Sequence, residues 1–136
     1  MAGMAESRSY VVLAFSPQPS FAYFLKGVLD CAGLAAIASS SSAEDLEALA
    51  QRARPDAIVY DVSYPFTENW RQLQDVKNRP ALRHIPFVIT TSEAQELFRR
   101  VGCSSAIELF ARPSDLAAFQ SAVRNAIEST ASHYAA

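Results

Sequence analysis

Five short apolar runs punctuate the chain, and a segment of helical periodicity follows each of them. The runs are YVVLAF (10–15), LAAIA (34–38), AIVYDV (57–62), PFVITT (86–91) and AIELFA (106–111), bounded by Pro, Gly or Ser. Unbroken apolar runs of this length are what strands buried on both faces of a parallel sheet require, and only the last alternates, where Glu108 breaks it. Between the runs, apolar residues recur at helical spacing. Phe21, Phe24, Leu25, Val28, Leu29 and Ala32 share one face, as do Leu46, Leu49, Ala50 and Ala53; Trp70, Leu73 and Val76; Leu97, Phe98 and Val101; and Leu116, Phe119, Val123 and Ile127. Strands that alternate with helices are joined by right-handed crossovers, which cover both faces of a mainly parallel sheet.

These units predict an α/β fold with five strands and five helices, an open doubly wound sheet of flavodoxin-like order 2-1-3-4-5. At 136 residues and 50% hydrophobic, the chain has material for one core and too little for two. Residues 9–128 form the expected domain, with loose tails at 1–8 and 129–136. Ser41 with Glu44 and Ser92 with Gln95 have capping-box spacing, Thr67 and Ser114 are N-cap candidates, and Gly33 and Gly102 stand where helices should stop. Twelve basic and fourteen acidic residues are spread along the chain, which leaves no basic stripe for nucleic acid. The longest early apolar run is too short for a membrane span. Cys31 and Cys103 are far apart and lack metal-ligand spacing, which fits a reducing cytoplasm and core or loop positions for both.

In a sheet of order 2-1-3-4-5 the functional crevice opens at the carboxyl ends of strands 1 and 3. Asp61 ends the third run there, and Ala14, Phe15, Ser16, Thr90, Thr91 and Arg112 should converge on it. Enzyme classes find no support: the chain has no GxSxG elbow, no glycine-rich phosphate loop and no paired carboxylates at the crevice. His84 precedes the fourth strand at the opposite end, and His133 lies in the tail.

With the crevice placed, the chain resembles the receiver domains of two-component response regulators over residues 9–128. RPDAIVYDVSYP (54–65) is similar to the phosphoacceptor segment, with Asp61 at the acceptor position and Pro65 in the loop after it. ALRHIPFVITTS (81–92) resembles the approach to the fourth strand, with Thr91 at the hydroxyl position and Ser92 where a small residue is usual. FARPSDL (110–116) resembles the Lys-Pro turn, with Pro113 in place.

The departures carry as much information. Receivers have a pair of acids after the first strand that holds magnesium together with the acceptor aspartate, whereas this chain has Ala14, Phe15 and Ser16. Arg112 replaces the lysine, and Leu109 stands at the aromatic switch position. One carboxylate beside one guanidinium sums to zero charge without a metal and is a poor magnesium site. Without the ion, nothing bridges the acceptor oxygen and an incoming phosphoryl group. The resemblance therefore implies a degenerate pseudo-receiver with weak or absent magnesium binding, no cofactor and slow or absent phosphorylation. Arg112 either grips Asp61 through its planar fork or turns to solvent, leaving Asp61 to backbone N–H groups. Phe15 either fills the crevice or packs in the core. The hydroxyls of Thr90, Thr91 and Ser92 serve as caps or as phosphoryl ligands. Among Tyr60, Tyr64 and Trp70, only Tyr64 is expected to be exposed.

The implied function is docking to a protein partner in signalling, such as a histidine kinase or an output protein, without membrane or nucleic acid. By family analogy the docking and dimer face would comprise the fourth helical segment, the fifth strand and the last helix: Leu97, Arg99, Arg100, Glu108, Phe119 and Arg124, with Phe119 expected in the core. The alternatives are a working phosphoacceptor in which a histidine kinase still modifies Asp61, and a small-ligand sensor using the same crevice.

Overall fold

A computed structural model describes residues 10–40, 43–62, 65–91, 108–111 and 116–135, with 43, 108–111 and 131–135 described as backbone only. Five strands pair in parallel in the order β2-β1-β3-β4-β5: β1 (Val11–Phe15), β2 (Ala35–Ser39), β3 (Ala57–Val62), β4 (Phe87–Thr91) and β5 (Glu108–Ala111). Four helices lie among the described residues: α1 (Pro19–Cys31), α2 (Ala43–Ala53), α3 (Phe66–Lys77) and α4 (Leu116–Ala135). Five were expected, and the segment with Leu97, Phe98, Val101 and Gly102 falls outside the described residues, as do the cap candidates Ser41, Ser92 and Ser114.

Because side chains alternate along a strand, β1 to β4 each feed two cores. Val12, Ala14, Val59 and Val88 pack under α1 and α4 with Leu25, Leu29, Phe119, Val123 and Ile127. Leu13, Phe15, Ile58, Tyr60 and Ile89 pack on the other side under α2 and α3 with Leu46, Leu73 and Val76. The winding therefore reverses between β1 and β3, and the crevice opens there.

Several elements end where local chemistry dictates. Pro19 opens α1, where its missing N–H costs nothing. Gly33 closes it in a left-handed conformation (φ 82°), with Gly33 N–H bonded to Asp30 O and Leu34 N–H to Leu29 O, a Schellman stop that only glycine adopts without strain. Thr67 is not the N-cap of α3; that place falls to Pro65, and Thr67 lies in the first turn. The last helix runs to Ala135 across residues expected to form a tail. No Gly or Pro interrupts 116–135, so a helix anchored by Phe119, Val123 and Ile127 propagates.

Two apolar residues assigned to buried faces are exposed: Phe24 at 45% and Leu116 at 39%. The sheet accepts a narrower stripe of each helix than the periodicity offers. Cys31, expected in the core or a loop, is an exposed thiol at the end of α1. No helix among the described residues is long and apolar enough to cross a membrane.

Candidate functional site

β1 and β3 run side by side with Phe15 level with Tyr60, so the next residues, Ser16 and Asp61, emerge together at the carboxyl edge. On the far side of β3, Asp61 is level with Thr90 of β4. The geometry closes on the aspartate. Ser16 Oγ donates to Asp61 Oδ2 at 2.9 Å, and Thr90 Oγ1 donates to Oδ1 at 2.9 Å. All three residues are fully buried.

Ser16 has further partners. Its hydroxyl accepts the Gln18 N–H at 3.1 Å, just ahead of α1, and its own N–H donates to Ser39 O at the end of β2, also at 3.1 Å. A single hydrogen-bonded line thus crosses four strand ends, from Ser39 through Ser16 and Asp61 to Thr90. Bonds from a hydroxyl to a carboxylate are charge-assisted, and a buried acceptor deprived of its donor costs more than the bond itself was worth.

The flanking residues belong to the cores. Ala14 lies under α1 and α4 with no exposed surface. Phe15 turns to the α2–α3 side, where its ring meets Tyr60 at 4.5 Å between centroids, tilted by 31°. Burial, and then the nearby Asp75 carboxylate, push the Tyr60 phenol well above its ordinary pKa. Trp70 is half-buried and stacks on Phe66.

Of the two threonines expected at the crevice, Thr90 bonds to Asp61, and Thr91, which the resemblance puts at the hydroxyl position, is level with Val62 and equally enclosed. Nothing in the sequence signals the Ser39 carbonyl. Arg112, Pro113, Ser92 and Tyr64 lie outside the described residues, and Leu109 is described only as backbone level with Ile89. The Arg112–Asp61 pair therefore lies outside them too.

Solved structures share this arrangement of strands and helices. A sensor protein from Polaromonas sp. JS666 matches with a TM-score of 0.76 at 16% identity, covering 90% of this chain and 99% of that one. The signal receiver domain of a signal transduction histidine kinase from Syntrophus aciditrophicus matches with a TM-score of 0.70 at 22% identity, covering 89% and 92%. The fold is that of a receiver domain. A third receiver, from a sensor histidine kinase of Pseudomonas aeruginosa PAO1 and solved with magnesium coordinated in its active site cleft, matches with a TM-score of 0.67 at 18% identity, covering 89% and 99%. No family model and no curated protein matches the chain.

On this receiver fold, the crevice offers one carboxylate with a hydroxyl on each oxygen. Among the described residues, no three His, Cys, Asp or Glu side chains gather where they could hold a metal ion. The docking face inferred by analogy fares differently residue by residue. Phe119 is buried, and Arg124 reaches across to α1, where Nη2 donates to Ala32 O at 2.6 Å. Gln120 joins it, with Nε2 donating to Val28 O at 2.7 Å. Leu97, Arg99 and Arg100 lie outside the described residues, and Glu108 is described as backbone.

Proposed function

We propose that the chain is a receiver-like signalling module that acts by protein–protein interaction, without phosphorylation of Asp61 and without catalysis of its own. One observation carries this reading: Asp61 is fully buried, and both of its carboxylate oxygens accept hydroxyls, from Ser16 and Thr90. A phosphoacceptor has to present an oxygen to the donor and share a cation with it. Here the residue beside the acceptor is a neutral serine, and Phe15 is spent on packing against Tyr60. Magnesium prefers several hard oxygens with at least one or two free carboxylates, so this donor set does not fit it. The crevice is on this reading a structural knot inherited with the fold. The partner would be another signalling protein, a histidine kinase or an output protein.

The test is incubation with acetyl phosphate and magnesium followed by intact-mass measurement. The expected result is an unmodified chain. A phosphoryl adduct that disappears in Asp61→Asn would overturn the reading in favour of a working switch, with the Thr90 hydroxyl turned from Asp61 to the phosphoryl oxygen.

A further inference from the structure

Three elements meet at the amino edge of the sheet, the end opposite Asp61: α2 and α3 finish there, and the turn before β4 crosses it. They bring Arg52, Arg54, Lys77 and Arg83 to one edge, the three arginines exposed and the lysine half-buried. Arg79, among them, shows what the fold does with a cation it uses. Its Nη1 bonds to Glu47 at 2.8 Å and its Nη2 to Asp75 at 2.7 Å, tying α2 to the chain just past α3. None of the other four has an ion pair among the described residues.

Helix dipoles account for half of this charge. Arg52 and Lys77 lie in the last turns of α2 and α3, where a cation suits any helix. Arg54 and Arg83 lie outside the helices, and Arg54 is held at a cost. It follows α2 with a left-handed backbone (φ 50°), alone among the described non-glycine residues, whereas the stop after α1 is a glycine, Gly33. Pro55 comes next and favours extended backbone at Arg54, which compounds the strain. The guanidinium finds no partner among the described residues, so nothing within them offsets that strain. An anion brought from outside does.

We propose that this edge docks an acidic segment of a protein partner. The charge of the rest of the molecule selects that class. The chain's net charge is −2, so without these four cations the remainder carries −6. A long polyanion such as nucleic acid would run from the edge onto that negative remainder and be repelled, whereas a short acidic segment is held by the edge alone. A lipid surface lacks its apolar anchor here. The large apolar side chains exposed among the described residues, Tyr23, Phe24 and Leu116, lie in the first half of α1 and at the start of α4, away from this edge. The inference rests on the docking reading above in taking the partner to be a protein. It does not involve Asp61, so a phosphoryl adduct there would end that reading and leave this edge untouched.

Fluorescence anisotropy of a labelled octaglutamate peptide, titrated with the full chain at low ionic strength, tests the assignment. Saturable binding that weakens as salt is added is expected. Arg52→Glu combined with Arg83→Glu weakens it by about tenfold or more, while Arg71→Glu, an exposed position in the second turn of α3, leaves it unchanged. Arg54→Gly is the most discriminating variant: it weakens binding by about threefold while raising the thermal midpoint, and Arg54→Lys retains the binding. Absence of binding overturns the proposal, as does binding that the edge variants leave unchanged or an Arg54→Gly chain that is less stable. So does tighter binding of an oligothymidylate of equal charge or of phosphatidylserine vesicles, which would give the edge to nucleic acid or to lipid.

Discussion

Strand β3 is bracketed by two aspartates that do similar work with different partners. At its amino end, Asp56 is half-buried and accepts the backbone N–H of Val11 at 2.8 Å, while its own N–H donates to Val11 O at 2.7 Å. At its carboxyl end, Asp61 is wholly buried and accepts two side-chain hydroxyls. Both staple β3 to its neighbours. The difference lies in what evolution can edit: a backbone N–H is fixed by the fold, whereas a hydroxyl can be exchanged for an acid by one substitution. The carboxyl end is therefore where a parallel sheet can gain or lose chemistry, and here Ser16 and Thr90 place a hydroxyl on each oxygen of Asp61.

The largest expected effect tests the packing beneath that end. Phe15→Ala removes a buried ring from its contact with Tyr60 and should cost about 3–4 kcal/mol in urea unfolding. A loss under about 1 kcal/mol would mean that Phe15 is not committed to the core. Next comes Ser16→Asp, which puts a second carboxylate at a position now 2.9 Å from an Asp61 oxygen. Stability should fall by roughly 2–3 kcal/mol in the absence of divalent ions. Added magnesium should then raise the melting temperature of this variant and leave the wild type unmoved; a wild-type shift of the same size would break the contrast between the two ends.

Smaller effects sharpen it. Thr90→Val keeps the shape, removes one donor from a buried carboxylate and should cost about 1–2 kcal/mol, against about 1 kcal/mol or less for Asp56→Ala at the more exposed end. The reverse order in chemical denaturation would contradict the ranking. The smallest effect is a pH dependence. Burial raises the Tyr60 phenol above its unfolded value of about 10. Its contribution is therefore fully present below that pH and is lost as pH rises through the folded-state value. Alkaline unfolding curves should show Tyr60→Phe losing less stability than the wild type above pH 10 or so; parallel curves would show that the phenol is not desolvated.

Much of the fold can be read directly from the apolar runs. AIVYDV coincides with β3, and β1, β2 and β4 each begin one residue after their runs. Tyr10, Leu34 and Pro86 are apolar but precede the ladder, and hydropathy cannot see where pairing begins. The helices were legible as stripes, not as burial. Phe24 and Leu116 fit the period and still face solvent, because the width of the stripe is set by the sheet beneath it. The end of α4 was misread because Ala and Ser carry no periodic signal even where nothing stops a helix.

In the crevice, the place of Asp61 at the end of its strand and the non-acidic Ala14, Phe15 and Ser16 were visible at once. The bond from Thr90 depended on register between strands that are distant in sequence, and Ser16's grip on Gln18 and Ser39 depended on how three chain segments meet. The role given to Arg124 shows the limit of analogy: a surface cation by position is a clasp between α4 and the end of α1.

The central claim is that Asp61 strengthens the fold through its hydroxyl partners and is not held in reserve for chemistry. Replacing it with alanine and measuring unfolding free energy in magnesium-free urea tests this directly. The account predicts a loss of roughly 2 kcal/mol or more, since two buried hydroxyls lose their acceptor and a small cavity opens. An Asp61→Ala chain as stable as the wild type, or more stable, would contradict it, because that is how a carboxylate kept in a strained, reactive pocket behaves.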